Sequence, residues 1–389
     1  TGISGRPASL RRAHRSMALR ELFIRDGISR TALTKELGLS QMATTRFIRD
    51  LIDAGLVREA GEASRDKGPG RKQTLLKLRE DGLYTAGIVL TAYATEVSIV
   101  SLNLEIVGHK RVRVTDISDA EGTIQELALA LLGLIDEKNI PRSRISGVSL
   151  AVSANVEPGT GVIFGQNYIG WNKADLQTPL EKMLELPVIV ENIVNARALA
   201  ETLTGSAKGQ KDVVILNIAT TIGAAIIQQG HLVRGQKFRA GRIGHFKSRK
   251  TKLTCSCGRN DCLNCNVTGW SLLNRFKLID DIYNPAHVVR YARLVEEMLT
   301  GSKETKKFDR AFREAGSALG ASIRLIDQLI EPESILLTGS VARLPYYRDG
   351  IFSTFEMKNE DDRELSAKIR MGTVSAVRSS AVPALLAFV

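Results

Sequence analysis

All four cysteines of the 389-residue chain lie between residues 255 and 265, and His245 stands just ahead of them. The order His245-x9-Cys255-x-Cys257-x4-Cys262 supplies three thiolates and one imidazole, a donor set suited to a tetrahedral zinc site. Ser256 and the run Gly258-Arg259-Asn260-Asp261 suit the tight turns of a metal knuckle. Cys262-x2-Cys265 is also a ligand spacing, and it admits an all-cysteine site without His245. A disulfide scaffold would spread its cysteines through the chain, so the clustering points to a metal. One zinc per chain is expected, on His245, Cys255, Cys257 and Cys262.

A second set of residues is spaced to meet nucleic acid. From Ser40 onward, Gln41, Thr45, Arg46 and Arg49 fall mainly on the polar side of a stretch whose apolar side carries Phe47, Ile48, Leu51 and Ile52. Gln can pair bidentately with adenine, and Arg with guanine or a phosphate. The run Lys67-Gly68-Pro69-Gly70-Arg71-Lys72 sets cations, Arg71 and Lys72 among them, on a slim backbone. An Arg between small residues can enter a narrow minor groove. Residues 1–80 hold 17 Lys/Arg against 9 Asp/Glu and so carry +8 of the net charge of +12. That asymmetry suggests a polyanion partner. A solvated basic surface is the alternative, and charge alone does not separate the two.

The elements that position these residues follow from periodicity and caps. An apolar-periodic stretch from about Ala13 to Arg25 ends at Asp26-Gly27, which suits a first helix. Ser29 caps a second through Leu37, and Ser40 a third to about Ala54, with the turn Gly38-Leu39-Ser40 between them. Two helices joined by a short glycine-containing turn form a helix-turn-helix. Gly55-Leu56-Val57, polar Arg58 to Lys72 and strand-like Thr74 to Leu78 then make a wing. Beyond Leu83 the pattern becomes β-rich. Thr85–Val100 and Leu104–Val114 read as consecutive strands, followed by Ile145–Val152, Ile189-Val190, Val213–Ile218, Gly223–Gln228 and Ser334–Thr338. Helices are expected at Thr123–Lys138, Leu176–Leu186 and Asn195–Leu203, and over most of the last hundred residues. The alternation makes an α/β fold, without a short-period repeat.

The stretch Gly241-Arg242-Ile243-Gly244-His245, with Cys255-Ser256-Cys257-Gly258 and Cys262-Leu263, resembles the zinc-knuckle signature of the ROK family of bacterial sugar-responsive repressors and sugar kinases. Gly147 to Trp171, with Asn167-Tyr168-Ile169-Gly170-Trp171, is similar to the family's segment before the sugar site. Val190-Glu191-Asn192-Ile193-Val194-Asn195-Ala196 is similar to its sugar-binding strand-to-helix turn. Residues 10–80 resemble the winged helix of the repressor branch. The resemblance implies a two-lobed actin-like ATPase (ribonuclease H-like) fold behind a winged helix-turn-helix, with zinc as structural support and assembly into a homodimer or homotetramer. The expected division is residues 1–80 for DNA, 81–194 for the N-terminal lobe, completed by about 377–389, and 195–376 for the C-terminal lobe.

The same resemblance argues against catalysis. Phosphoryl transfer needs a phosphate cradle and a base to orient the hydroxyl. Where the family's kinases carry an Asp-x-Gly-Gly-Thr turn, this chain has Val89-Leu90-Thr91-Ala92-Tyr93-Ala94, and its second phosphate turn is Ala219-Thr220-Thr221-Ile222-Gly223-Ala224-Ala225. The adenosine-side glycines are thinned to Thr338-Gly339-Ser340. Ile193 stands where the family's catalytic Asp follows the matching Asn, and a hydrocarbon cannot accept a proton. Two sugar-binding carboxylates are replaced as well, by Arg242 and Asn264. Asn167, Trp171, Asn192 and His245 remain. Either the pocket takes a different ligand, a sugar acid or sugar phosphate being favoured by the charge reversal, or it takes none. Lys247, Arg249, Lys250 and Lys252 are expected to add to a positive field, unless they form a solvated loop.

With 43% hydrophobic and 25% charged residues the chain is an ordinary globular protein. It has no apolar run of membrane-spanning length, and Thr1 to Arg20 has no apolar signal core, so a cytoplasmic protein without membrane contact is expected. The leading expectation is a non-enzymatic transcriptional regulator of carbohydrate or polyol genes. Its partners would be a double-stranded DNA operator and a small effector (sugar, polyol or anionic sugar derivative) bound by Asn167, Asn192, Arg242, His245 and Asn264. A kinase-like adaptor acting through protein contacts is second, and an active sugar kinase last.

Overall fold

The computed structural model describes residues 7–25, 27–63, 73–91, 94–165, 169–279, 294, 308–355 and 359–388. The N-terminal module runs α1 (Pro7–Ile24), β1 (Ile28–Ser29), α2 (Arg30–Leu37), α3 (Gln41–Asp53), β2 (Val57–Ala63) and β3 (Gln73–Leu78). Ser29 accepts a hydrogen bond from Ala32 N and Ser40 from Ala43 N, each at 3.2 Å. Each cap satisfies an otherwise orphaned helical N–H and contributes about 1 kcal/mol. Gly38, at φ 63°, closes α2 in the left-handed region, where a Cβ would be strained. Leu33, Leu37, Ile48 and Leu51 pack beneath α2 and α3.

The three strands form an antiparallel sheet in the order β1-β3-β2. Two features differ from expectation. The stretch read as polar loop from Arg58 is strand as far as Ala63, with its pairing interrupted between Glu59 and Glu62, because an edge strand forms its ladder through the backbone and tolerates a polar sequence. The two-residue β1 is too short to show a period. Arg71 and Lys72 lie outside the described residues.

The first large sheet comes from β4 (Tyr84–Leu90), β5 (Thr95–Ser101), β6 (Ile106–Arg111), β7 (Ile145–Val152) and β10 (Val188–Asn192), with α4 (Ala120–Glu137), the short β8 (Asn155–Val156) and β9 (Ile163–Phe164), and α5 (Gln177–Leu184) between them. Its order is β10-β7-β4-β5-β6, parallel across β10, β7 and β4 and antiparallel across β4, β5 and β6. The expected single strand Thr85–Val100 is two. Thr91 Oγ1 accepts from Ala94 N at 2.9 Å and donates to its carbonyl at 3.0 Å, folding the chain back.

After α6 (Ile193–Thr204) a second sheet follows, of β11 (Val213–Ile218), β12 (Ile222–Gln228), β13 (His231–Leu232), β14 (Ser334–Thr338) and β15 (Ile369–Met371), in the order β13-β12-β11-β14-β15. Its helices are α7 (Asn264–Val267), α8 (Gly269–Arg275), α9 (Asp309–Ile330), α10 (Pro345–Phe352) and α11 (Glu360–Lys368). Gly316 of α9 and Gly350 of α10 each face the other helix's backbone so closely that a Cβ would strike the Tyr347 or Arg313 carbonyl. The last helices, α12 (Ala376–Ser380) and α13 (Val382–Phe388), return to the first sheet. There Gly87 leaves room for Ser380 and Gly147 for the Phe388 ring.

The N-terminal module is seated on this framework. Ala18, Leu19, Leu22 and Phe23 of α1 share one apolar cluster with Val100, Leu102, Ala200, Leu203, Val382 and Leu385. Arg20 Nη1 donates to the Gly230 carbonyl at 2.7 Å. Among the described residues no helix is long and apolar enough to cross a membrane.

Candidate metal centre, cleft and nucleic-acid interface

The ligand atoms of His245, Cys255, Cys257 and Cys262 all lie within 4.8 Å of one another. His245 Nδ1 is 3.5 Å from Cys255 Sγ and 3.9 Å from Cys262 Sγ, and the Cys257 and Cys262 sulfurs are 3.3 Å apart. A tetrahedral site with metal–sulfur bonds of about 2.3 Å spaces its ligands by about 3.8 Å, so these four could hold a metal ion with little movement. The turn that gathers them is built locally: Cys255 N donates to the Arg259 carbonyl at 2.7 Å, and Gly258 has φ 84°.

Arg259 reaches back over the turn, donating to the His245 carbonyl and, at 3.3 Å, to Cys262 Sγ. Burial pushes the Cys257 thiol up, but hydrogen bonds from the Arg259 backbone and side chain and with Cys262 outweigh it and bring the thiol down to about 7. Burial, with the charges of Arg242 and Arg259, holds His245 below the ordinary histidine value. These two shifts favour deprotonated donors, whereas burial and the neighbouring Cys257 and Cys255 thiols push Cys262 up to about 12, so the full thiolate set requires the metal's own charge to displace that proton. Cys265 lies outside the four-residue set. It is buried in a cluster with Trp270, Leu273 and Ile279, and burial pushes its thiol up to about 11.

Beside the knuckle a cleft of about 340 Å³ opens, lined by residues that follow β7, by the first turn of α6, by the β11–β12 turn and by the segment from Val233 to His245. Asn192 stands at its edge with its amide engaged. Its Oδ1 accepts from Val194 N at 2.8 Å and Asn195 N at 3.3 Å, and its Nδ2 donates to the Ala154 carbonyl at 2.8 Å. The residue is the N-cap of α6, a role that the sequence reading did not assign. Ile193 follows it on the lining, and among the described residues no carboxylate lines the cleft.

Glu191 is buried just behind. Its Oε1 accepts from Asn192 N at 2.8 Å and Asn195 Nδ2 at 2.9 Å, and its Oε2 pairs with Arg234 Nη2 at 2.5 Å. Asn264 is also on the lining; its Oδ1 accepts from Ile222 N at 3.2 Å, tying the knuckle to the β11–β12 turn.

The segment carrying Arg242 is laid along β12. Ala224 N donates to the Gly241 carbonyl at 2.8 Å, and a Cβ at Gly241, whose φ is 81°, would strike the Ala224 carbonyl. Arg242 Nη2 lies 2.9 Å from His245 Nε2. Arg239 lies over the Phe164 ring, 5.3 Å from its centroid. Arg234 and Arg239 were missed in the sequence, where no motif marks them and the one available signal was the density of cations from Arg234 to Arg242; Glu191 lay within the Val190–Ala196 motif but was given no role. Among the described residues the cations that line the cleft are Arg234, Arg239 and Arg242; Lys247, Arg249, Lys250 and Lys252 follow the knuckle histidine but do not line it. Trp171 is core, donating Nε1 to the Ile117 carbonyl at 2.9 Å. Asn167 lies outside the described residues.

On α3, Gln41, Thr45, Arg46 and Arg49 are brought together around one exposed hollow that also includes Met42. Ser40 is the cap of the same helix. Thr45 Oγ1 donates to the Gln41 carbonyl at 2.9 Å, so its hydroxyl proton is directed into the helix.

Comparison with known proteins places this geometry. Residues 85–367 match the model of the ROK family. The chain is 23% identical over 338 residues to the xylose repressor of Bacillus subtilis (strain 168), covering 85% of this chain and 83% of that protein. It is 21% identical over 319 residues to the DNA-binding transcriptional dual regulator NagC of Escherichia coli (strain K12), with 81% and 77% covered. Among solved structures, a ROK family transcriptional regulator described as a homolog of E. coli MLC superposes with a TM-score of 0.75 at 19% identity, over 96% of each chain. A ROK family glucokinase from Streptomyces griseus, in complex with glucose and AMPPNP, superposes with a TM-score of 0.61 at 21% identity, over 78% of this chain and 98% of the glucokinase. These structural likenesses establish the fold.

Proposed function

The chain belongs to the ROK family, and from that premise we propose that it is a DNA-binding transcriptional repressor of carbohydrate or polyol genes whose cleft takes an effector in place of performing phosphoryl transfer. The observation that carries this reading is α3: a capped helix presenting Gln41, Arg46 and Arg49 to solvent on a module seated against both sheets. The relatives named as repressors support it. The absence of catalysis is supported by Ile193 at the position of the family's base and by a lining without a carboxylate among the described residues, and His245, the imidazole on that lining, is committed to the metal set, which leaves no carboxylate there to take the proton of an attacking hydroxyl. One zinc per chain on His245, Cys255, Cys257 and Cys262 anchors the segment that carries Arg242.

The function is tested by incubating the intact protein with a pool of random-sequence duplexes. Enrichment of a defined sequence is expected, arranged as an inverted repeat because a two-fold dimer presents two recognition helices one helical turn or a multiple apart. An Arg46→Ala/Arg49→Ala protein that enriches the same sequence equally well would overturn the assignment.

The effector we propose is a small polyhydroxylated anion. Glu191 neutralises Arg234, whereas Arg239 and Arg242 have no carboxylate partner among the described residues. With a metal on His245 Nδ1, Nε2 would carry the ring proton and could no longer accept from Arg242 Nη2, 2.9 Å away; an anionic oxygen between the two would satisfy both donors. Calorimetry with neutral sugars, polyols, sugar acids and sugar phosphates tests this. Only anions are expected to bind, and Arg242→Glu is expected to weaken a bound anion at least tenfold, since a hydrogen bond to a charged group contributes about 1.5–3 kcal/mol. Binding of neutral sugars with no response to anions would remove the charge argument.

A further inference from the structure

The face that α3 turns to solvent is not uniformly polar. Met42, in its first turn, is 86% exposed, the largest exposure of any large apolar side chain among the described residues. A lone exposed apolar residue needs no explanation, but Met42 is not alone. Residues 42, 45, 46 and 49 stand at helical spacings of three, four and seven and so share one face, and all four are exposed. Thr45 commits its hydroxyl proton to the Gln41 carbonyl at 2.9 Å, which leaves its methyl as the apolar group beside Met42. The buried side of the helix already has its apolar complement in Ile48 and Leu51. The apolar patch is therefore surplus to the fold, and Gln41, Arg46 and Arg49 surround it.

Resting on the DNA-binding reading, we propose that Met42, with the Thr45 methyl beside it, reads thymine 5-methyl groups in the major groove. The N-terminal part of a recognition helix is the part that reaches base edges. Of the groups a major groove displays there, the thymine methyl is the apolar one. The flanking guanidinium groups suit phosphates or guanine edges beside it, which favours DNA as the occupant of this face. Met42 thereby adds a preference for T at a set position of each half-site, one that neither Gln41 nor Arg46 supplies by hydrogen bonding.

The test uses the intact protein and a duplex enriched from the random pool, in which each dT is replaced singly by dU, deleting one methyl and nothing else. Binding is measured at one salt concentration. At one or two positions per half-site, dU is expected to weaken wild-type binding about fourfold, the effect of one buried methyl. Met42→Ala is expected to bind the dT and dU duplexes equally at that position, while Arg46→Ala keeps the preference for dT. An unchanged melting temperature is expected for Met42→Ala, because the side chain is 86% exposed and belongs to no buried cluster. Indifference of the wild type to dU at every position overturns the proposal, as does full dU sensitivity in Met42→Ala. A pool from which no duplex is enriched overturns the DNA-binding reading itself, and the methyl contact with it.

Discussion

Replacing Cys257 by serine is expected to reduce bound zinc from one per chain to near zero and to lower the melting temperature by about 5–10 °C. The size follows from coupling between metal and local folding. Zinc knuckles in isolation draw about 10–16 kcal/mol of apparent folding energy from the metal. Here the neighbouring core retains its own packing, so a global loss of about 2–3 kcal/mol is the scale, and each kcal/mol moves the midpoint by about 2–4 °C in a domain of this size. The loss spreads because Cys255 and Cys262 are packed with Trp270 and Leu273, while Asn264 is bonded to the β11–β12 turn. Elemental analysis and thermal unfolding measure both effects. Cys265→Ser is expected to keep its zinc, since Cys265 stands outside the ligand set. Zinc lost from Cys265→Ser but retained in His245→Ala would reverse the ligand assignment.

The second large effect is expected at Arg46. Arg46→Ala should weaken binding to the enriched duplex by about 5- to 150-fold, the 1–3 kcal/mol of a bidentate contact to guanine, and relax preference at one or two base pairs. The alternative contact has a different signature. If Arg46 meets only phosphate, its loss weakens all sequences alike and lowers the salt slope by about one. Arg46 is exposed and no carboxylate pairs with it among the described residues, so its removal leaves no buried partner and the effect reads directly on DNA.

What was legible in the sequence was what is encoded locally. Ser29, Gly38 and Ser40 announce the ends of α2 and α3 because a cap acts within three residues of itself. The knuckle is similarly compact, and its spacing pointed to a metal set of Cys255, Cys257 and Cys262 with His245, while leaving Cys265 open as the fourth ligand in its place. Elements whose boundaries depend on tertiary contact were harder. The β4–β5 hairpin read as one strand because both of its strands are buried on both faces, which removes the polar break that usually marks a turn. The wing strand β2 was hidden by its glutamates. The cleft was the least legible part. Glu191 and Arg234 meet only because β10 carries one to the cleft edge and the segment after β13 carries the other back to it. Asn192 was legible as a cleft residue by position, and it does line the cleft, but the role of its amide as the cap of α6 was not, because nothing in its neighbours' identities announces it.

The most direct test of the account is an equilibrium titration of the intact protein against the enriched duplex and a scrambled duplex of equal length, both at one fixed physiological salt concentration. A repressor that reads sequence through α3 is expected to prefer the enriched duplex at least about a thousandfold, the scale of specific over non-specific recognition. Equal affinity for the two, however tight, would contradict it, because a basic surface alone binds every sequence alike.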